Sequence, residues 1–282
     1  MSGNLIGAME LAGELAEGGS RVQKPVVVDC RFNLMEPGKG LEMWREGHIP
    51  GAFYAHLDND LASPVTSVSG RHPLPDAAQF AALLGSWGVT PERKVVVYDD
   101  AGGAIASRLW WLLRWAGHKR VVLLDGGLQA WQGDLSTDVP VVSSSGAYPV
   151  EPGQMPVLES EEMGDSGQRL VVLDARDAAR YRGEIEPIDP VAGHVPGVDN
   201  RPFQANLDER GRFIDADELQ KSFAGIPGWA EAATRGCMCG SGVTACHNIL
   251  AAEEAGYPPP ALYVGSWSEW IRDPERPLAT GS

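Results

Sequence analysis

Short apolar runs of four or five residues alternate along this chain with longer stretches of helical period. Val26–Asp29, Val95–Tyr98 and Val121–Leu124 are continuously apolar up to their last residues rather than alternating. That is the pattern of strands buried on both faces of a parallel sheet. Ile105–Ala116 reads as a helix closed by Gly117, and Val243–Ala255 as a second closed by Gly256. Strands alternating with helices predict an α/β fold, a parallel-sheet core with helices on both faces. Ligands of such sheets gather at the carboxyl ends of the strands, in the loops that lead into helices.

The pattern repeats. Val26-Val27-Val28-Asp29-Cys30-Arg31 is echoed by Leu170-Val171-Val172-Leu173-Asp174-Ala175-Arg176, and Gly47-His48-Ile49-Pro50-Gly51 by Gly193-His194-Val195-Pro196-Gly197. The strand before Asp99 lies where the second half has the strand before Cys239, and Gly126–Trp131 matches Gly265–Trp270. The offsets are 145, 146, 140 and 139, in one order along the chain. Four ordered matches at nearly constant spacing mark a tandem duplication. The joint falls in the Pro-, Ser- and Gly-rich stretch that follows Asp138. The expected organisation is a domain over 1–140, a linker over 141–155 and a second domain over 156–282.

Composition narrows the partners. Against 38 Asp and Glu there are 23 Lys and Arg, a net charge of −15. Neither nucleic acid nor an anionic membrane surface is expected as a partner, since both need basic patches. A small anionic substrate stays open, because a few local donors suffice for it. The first residues lack the basic and apolar regions of a secretory signal, and no apolar run reaches the length of a membrane span. A cytoplasmic protein is expected.

Four cysteines are too few for a disulfide framework at 282 residues. Cys30 and Cys237, in strands, and Cys246, one turn into a helix, read as small core residues. Cys237 and Cys239 could form half a zinc site, but only Cys246 and His247 follow, already fixed on a helix, so no metal is expected. Cys239 opens the loop Cys239-Gly240-Ser241-Gly242-Val243-Thr244-Ala245. Two glycines allow a sharp turn that points several amide N–H groups at one place, and the following helix adds its own unsatisfied donors. Such a ring suits a negatively charged sulfur, whether a thiolate nucleophile or a persulfide. The turn histidines His48 and His194 occur in both halves and read as structural. Trp110, Trp111 and Trp115 read as core.

Taken together, the Val-Val-x-Asp-x-Arg strand, the Gly-His-x-Pro-Gly turn, the cysteine loop and the closing Gly265-Ser266-Trp267-Ser268-Glu269-Trp270 resemble the rhodanese family of sulfurtransferases, from about Val26 to Trp270. The duplicated form with one active cysteine is similar to the thiosulfate and 3-mercaptopyruvate sulfurtransferases. The cysteine loop resembles that of the mercaptopyruvate enzymes, because the thiosulfate enzymes carry two basic residues where Gly240 and Ser241 stand. The resemblance implies two tandem rhodanese-like domains, the first catalytically silent and supplying walls of the site, with Asp99 in place of a sulfur carrier. It implies that a small anionic donor gives a sulfane sulfur to Cys239, and that a thiol, cyanide or a thioredoxin-like protein removes it, without a cofactor. Ser241 would act on the donor, and Gly240, Gly242, Val243 and Thr244 would hold it.

Other positions follow the same resemblance. His72 and Asp58 match residues contributed by the first domain, although His72 read alone is also a solvated loop histidine. Arg180 matches the arginine that binds the donor anion, where its planar fork would pair bidentately with a carboxylate for about 2–3 kcal/mol. Read alone it is a surface arginine, and Arg182 is the alternative. Nine residues after Arg180 the mercaptopyruvate enzymes tend to carry a second arginine, and Asp189 stands there instead. Asp189 is expected to point to solvent and to matter by ~1 kcal/mol or less. On balance the donor is expected to be 3-mercaptopyruvate, with thiosulfate:cyanide transfer as the alternative. A non-catalytic binding module would fit a chain lacking the cysteine. A cysteine phosphatase would need arginine where Ala245 stands.

Overall fold

The continuous apolar runs become parallel strands. The computed structural model describes residues 3–16, 24–141, 146–164 and 170–281. The linker expected at 141–155 includes residues 142–145, which lie outside the described residues. In the first sheet β1 (Leu5–Ile6), β2 (Val26–Asp29), β3 (Phe53–Tyr54), β4 (Val95–Tyr98) and β5 (Val121–Leu124) are ordered β1-β5-β4-β2-β3, every pair parallel. In the second, β6 (Val157–Leu158), β7 (Leu170–Asp174), β8 (Asp199–Asn200), β9 (Thr234–Met238) and β10 (Ala261–Tyr263) are ordered β6-β10-β9-β7-β8, again parallel throughout. The two orders match strand for strand, so the sequence repeat is a structural repeat.

The chain divides into two compact units. The first falls within Met1–Ser63, Leu74–Gln154 and Glu209–Phe213, the second within Pro64–Pro73, Met155–Asp208 and Ile214–Ser282. A ten-residue segment of the first sequence half, which carries Arg71 and His72, therefore belongs to the second unit. In the first unit the helix Ala106–Trp115 packs on β4 and β5, and Trp110 and Trp111 are fully buried there. The helix Ala245–Glu254 packs on β9 and β10 in the same way. Among the described residues no helix is long and apolar enough to cross a membrane.

The repeated motifs have a shared physical basis. At the end of β2 the Arg31 guanidinium grips the Asp29 carboxylate side-on, with Nε and Nη2 at 2.7–3.0 Å, and Nη2 also donates to the Gly47 carbonyl at 2.7 Å. At the end of β7, Arg176 does the same to Asp174 and to the Gly193 carbonyl at 2.8 Å. Each latch ties a strand end to the Gly-His-x-Pro-Gly turn. Both carboxylates are fully buried, where an unpaired charge would cost about 3–5 kcal/mol. His48 and His194 are buried beside these latches, Nδ1 of each within 2.9 Å of a backbone carbonyl, and each stacks on an aromatic ring, Trp44 or Tyr181.

Candidate functional site

Cys239 is the first residue after β9, and the helix Ala245–Glu254 begins six residues later, two residues beyond the start expected from the sequence. Between them the chain turns through Gly242, whose φ is +75°. A Cβ at Gly242 would lie 2.5 Å from the Val264 carbonyl oxygen, so both the torsion and the close approach require glycine. The loop is clamped from the next strand end. The N–H of Trp267 donates to the Cys239 carbonyl at 3.0 Å and that of Ser268 to the Gly240 carbonyl at 2.9 Å. Ser266 sits in the left-handed region at φ +53°, where its hydroxyl accepts the Cys239 N–H at 3.1 Å and donates to the Tyr263 carbonyl at 2.8 Å. The Gly265–Trp270 motif is thus the clamp of the cysteine loop.

Cys239 is buried, with 2% of its surface exposed. Among the described residues, none accepts a hydrogen bond from the N–H groups of Gly240, Ser241, Val243 or Thr244. An anion placed at the loop would satisfy them. Cys237 and Cys246 are core residues, as the sequence suggested. Burial pushes the Cys237 thiol well above the usual range, and Cys246 donates from Sγ to the Gly242 carbonyl at 3.3 Å. Burial raises the Cys30 thiol likewise, and the Asp29 charge adds to it.

The second unit gathers most of the expected site residues around this loop. His72 is buried, and its Nδ1 lies 2.7 Å from the Ser241 hydroxyl. A loop histidine in solvent is therefore excluded, and its partner is the loop itself. Arg180 also reaches the loop, its two terminal nitrogens 3.6 and 3.8 Å from where a Cβ of Gly240 would stand. Arg182 is half-exposed and pairs with Glu184 instead. Asp58 is exposed in the short helix Leu57–Asp60 and belongs to the first unit.

Two expectations need correcting. Asp189 does not point to solvent. Its side chain is 3% exposed, it makes a short ion pair with Arg71, and it lies 3.3 Å from Arg180 Nη2. A charge in that position is worth far more than a surface pair. The planar edge of Arg180 is not open either. Nε and Nη2 are held by Glu186 at 2.7–3.2 Å, and Glu186 is fixed in turn by the N–H groups of Ile188 and Asp189 at 3.1 Å.

Arg71 was not singled out from the sequence. Its Nη2 approaches to 2.8 Å of the Cβ position of Gly240, its N–H donates to Ser268 Oγ at 3.0 Å, and Asp189 takes its Nη1. Burial holds this guanidinium below the usual arginine range, charge on Cys239 opposes that, and Arg180 adds to it. The Arg71 guanidinium occupies the space that a side chain at Gly240 would enter. A signal was present, since arginine stands directly before the one loop histidine that was chosen.

Residues 10–134 match the rhodanese-like domain family. The chain is 45% identical over 99% of both lengths to a probable 3-mercaptopyruvate sulfurtransferase of Pseudomonas aeruginosa. It is 37% identical to a putative thiosulfate sulfurtransferase of Mycobacterium tuberculosis, SseB, over 99% of this chain and 97% of that one. Among solved structures, the 3-mercaptopyruvate sulfurtransferase from Leishmania major superposes with a TM-score of 0.82 at 28% identity, covering 95% of this chain and 74% of the other. Two copies of one parallel sheet, a cysteine loop in the second and full-length identity of this order agree: the chain belongs to the rhodanese family of tandem-domain sulfurtransferases, that of the 3-mercaptopyruvate and thiosulfate enzymes.

Proposed function

We propose that the chain transfers a sulfane sulfur from 3-mercaptopyruvate to a thiol or cyanide acceptor by way of a persulfide on Cys239. The observation that carries this reading is the uncharged loop itself. None of its side chains from Gly240 to Ala245 is charged, and the Ser241 hydroxyl is engaged by His72, which suits a neutral ketone better than a doubly charged donor. The Cys239 thiolate attacks the donor sulfur, the carbon–sulfur bond breaks, and its electron pair passes to carbon as an enolate. The proton of the former donor thiol ends on that carbon, leaving pyruvate and a persulfide anion. Ser241, accepting from His72 Nδ1–H, turns its own O–H to the enolate oxygen. The loop N–H groups of Gly240, Ser241, Val243 and Thr244 hold the persulfide, with Gly242 shaping the turn. The acceptor then attacks the outer sulfur and frees Cys239, a double displacement.

The names of the relative at 45% identity and of the Leishmania structure favour mercaptopyruvate as donor, and the Mycobacterium tuberculosis relative keeps thiosulfate as the second reading. Thiosulfate, with two charges, would approach the buried Asp189 and Glu186. The acceptor in the cell would be a small thiol or a thioredoxin-like protein, and a cytoplasmic, reducing setting suits four free cysteines. The test is to incubate the protein with each donor and weigh it intact, then measure kcat/KM. Mercaptopyruvate should add one sulfur atom and give the higher kcat/KM. A higher value with thiosulfate would reverse the donor and keep the persulfide.

A further inference from the structure

Two guanidinium groups lie against the backbone of Gly240, beside the sulfur of Cys239, and they differ in which edge is open. The side-on edge of Arg180, Nε with Nη2, is filled by Glu186, whose own position is fixed by two backbone N–H groups. Arg71 is arranged the other way round. Asp189 grips it end-on at Nη1. Its Nε is buried with no hydrogen-bond partner among the described residues. Its Nη2, the other nitrogen of that edge, faces Gly240 and makes no hydrogen bond among the described residues. An open Nε–Nη2 edge is the geometry that takes a carboxylate with two parallel hydrogen bonds.

We propose that Arg71 is the residue that binds the donor carboxylate, and that Asp189 is the positioning residue that presents its open edge to the Cys239 loop. The proposal rests on the reading of the donor as a mercapto keto acid. Charge supports it. Arg71, Arg176 and Arg180 are matched by Asp174, Glu186 and Asp189, so the cluster is neutral and no excess cation awaits a dianion. Within a balanced cluster, discrimination comes from the shape of the open edge, and a flat monocarboxylate fits it. Asp189 then does two things at once. It fixes one end of Arg71, so that little rotamer freedom remains to be lost on binding, and it cancels the charge that would draw thiosulfate.

The experiment compares 3-mercaptopyruvate with 1-mercaptopropan-2-one, which keeps the ketone and the thiol and lacks the carboxylate. Arg71→Ala should lower kcat/KM for mercaptopyruvate by roughly 30- to 100-fold, mostly through KM, and leave the ketone donor within about threefold. Turnover of the second donor is also the control for folding. Arg71→Lys, which keeps the charge and loses the fork, should fall between wild type and alanine. Asp189→Asn should raise KM for mercaptopyruvate by about five- to tenfold with kcat nearly unchanged, and should narrow the preference over thiosulfate. Equal losses on both donors in Arg71→Ala, or an unchanged KM for mercaptopyruvate, would overturn the assignment while the donor reading stands. Wild-type protein that mercaptopyruvate cannot load would remove the donor reading, and this proposal with it.

Discussion

The loop after β4 and the loop after β9 leave the same place in their sheets and run into helices of ten residues each. Their first residues divide them. In the first unit the Asp99 carboxylate folds back into its own loop and accepts four backbone N–H groups, those of Ala101, Gly103, Ile105 and Ala106, at 2.8–2.9 Å. In the second unit Cys239 holds that place, and loop N–H groups remain without an acceptor among the described residues. The duplicated fold thus builds one strand-to-helix loop twice. One copy carries its anion as a side chain and is structurally complete. The other carries no such side chain, and its loop N–H groups stay open among the described residues. In the first unit the loop is filled by its own carboxylate, and no sulfur stands at its first residue.

Exchanging the first residue is the sharpest way to break this comparison. Cys239→Ser should abolish turnover, by at least about a thousandfold, because an oxygen cannot carry a sulfane sulfur. The hydroxyl is nearly isosteric, so the denaturation midpoint should stay close to wild type. Asp99→Asn makes the reverse separation. The amide keeps one acceptor and turns an N–H₂ toward two of the four donors, which should cost about 3 kcal/mol of stability by denaturant unfolding. The Cys239 persulfide should still form in that variant. If Asp99→Asn unfolded no more readily than wild type, the carboxylate would not be what completes the first loop. The smallest effect concerns the other thiols. Burial raises Cys30 and Cys237, so both stay protonated between pH 6 and pH 9, about the range of ordinary assays. Mass mapping after brief alkylation of the folded protein should find the label on Cys239 and little on Cys30 or Cys237.

The long strands of both sheets were legible in the sequence, and Val26–Asp29, Val95–Tyr98 and Val121–Leu124 keep the bounds that their apolar runs suggested. Leu5–Ile6, Phe53–Tyr54, Val157–Leu158 and Asp199–Asn200 were not, because two residues carry no period to read. The cysteine loop was legible because its pattern is local, seven consecutive residues from strand end to helix start. The charge cluster was not. Arg71 meets Asp189 across 118 positions and Ser268 across 197, and it lies in a loop with no register to announce its direction. Asp189 was read as the loss of an arginine. Its burial shows that it is the counter-charge of another. Asp99 was read as a missing sulfur, since nothing in a single letter tells that a carboxylate will gather four amides.

Ser266 carries a consequence for how such a duplicated enzyme divides. The matching position of the first unit is Gly127, and both sit in left-handed backbone, at φ +53° and +58°. Glycine adopts that torsion freely, whereas a serine there is strained by about 1–2 kcal/mol. The first copy has relaxed here and the second has not. What the serine gains is a hydroxyl on the Cys239 amide, which takes that one N–H out of the open set. Among the described residues, the loop N–H groups left for an anion are then those of Gly240, Ser241, Val243 and Thr244, nearer the helix start. Were a persulfide formed on Cys239 as proposed, its charge would be steered by a residue outside the loop that holds it.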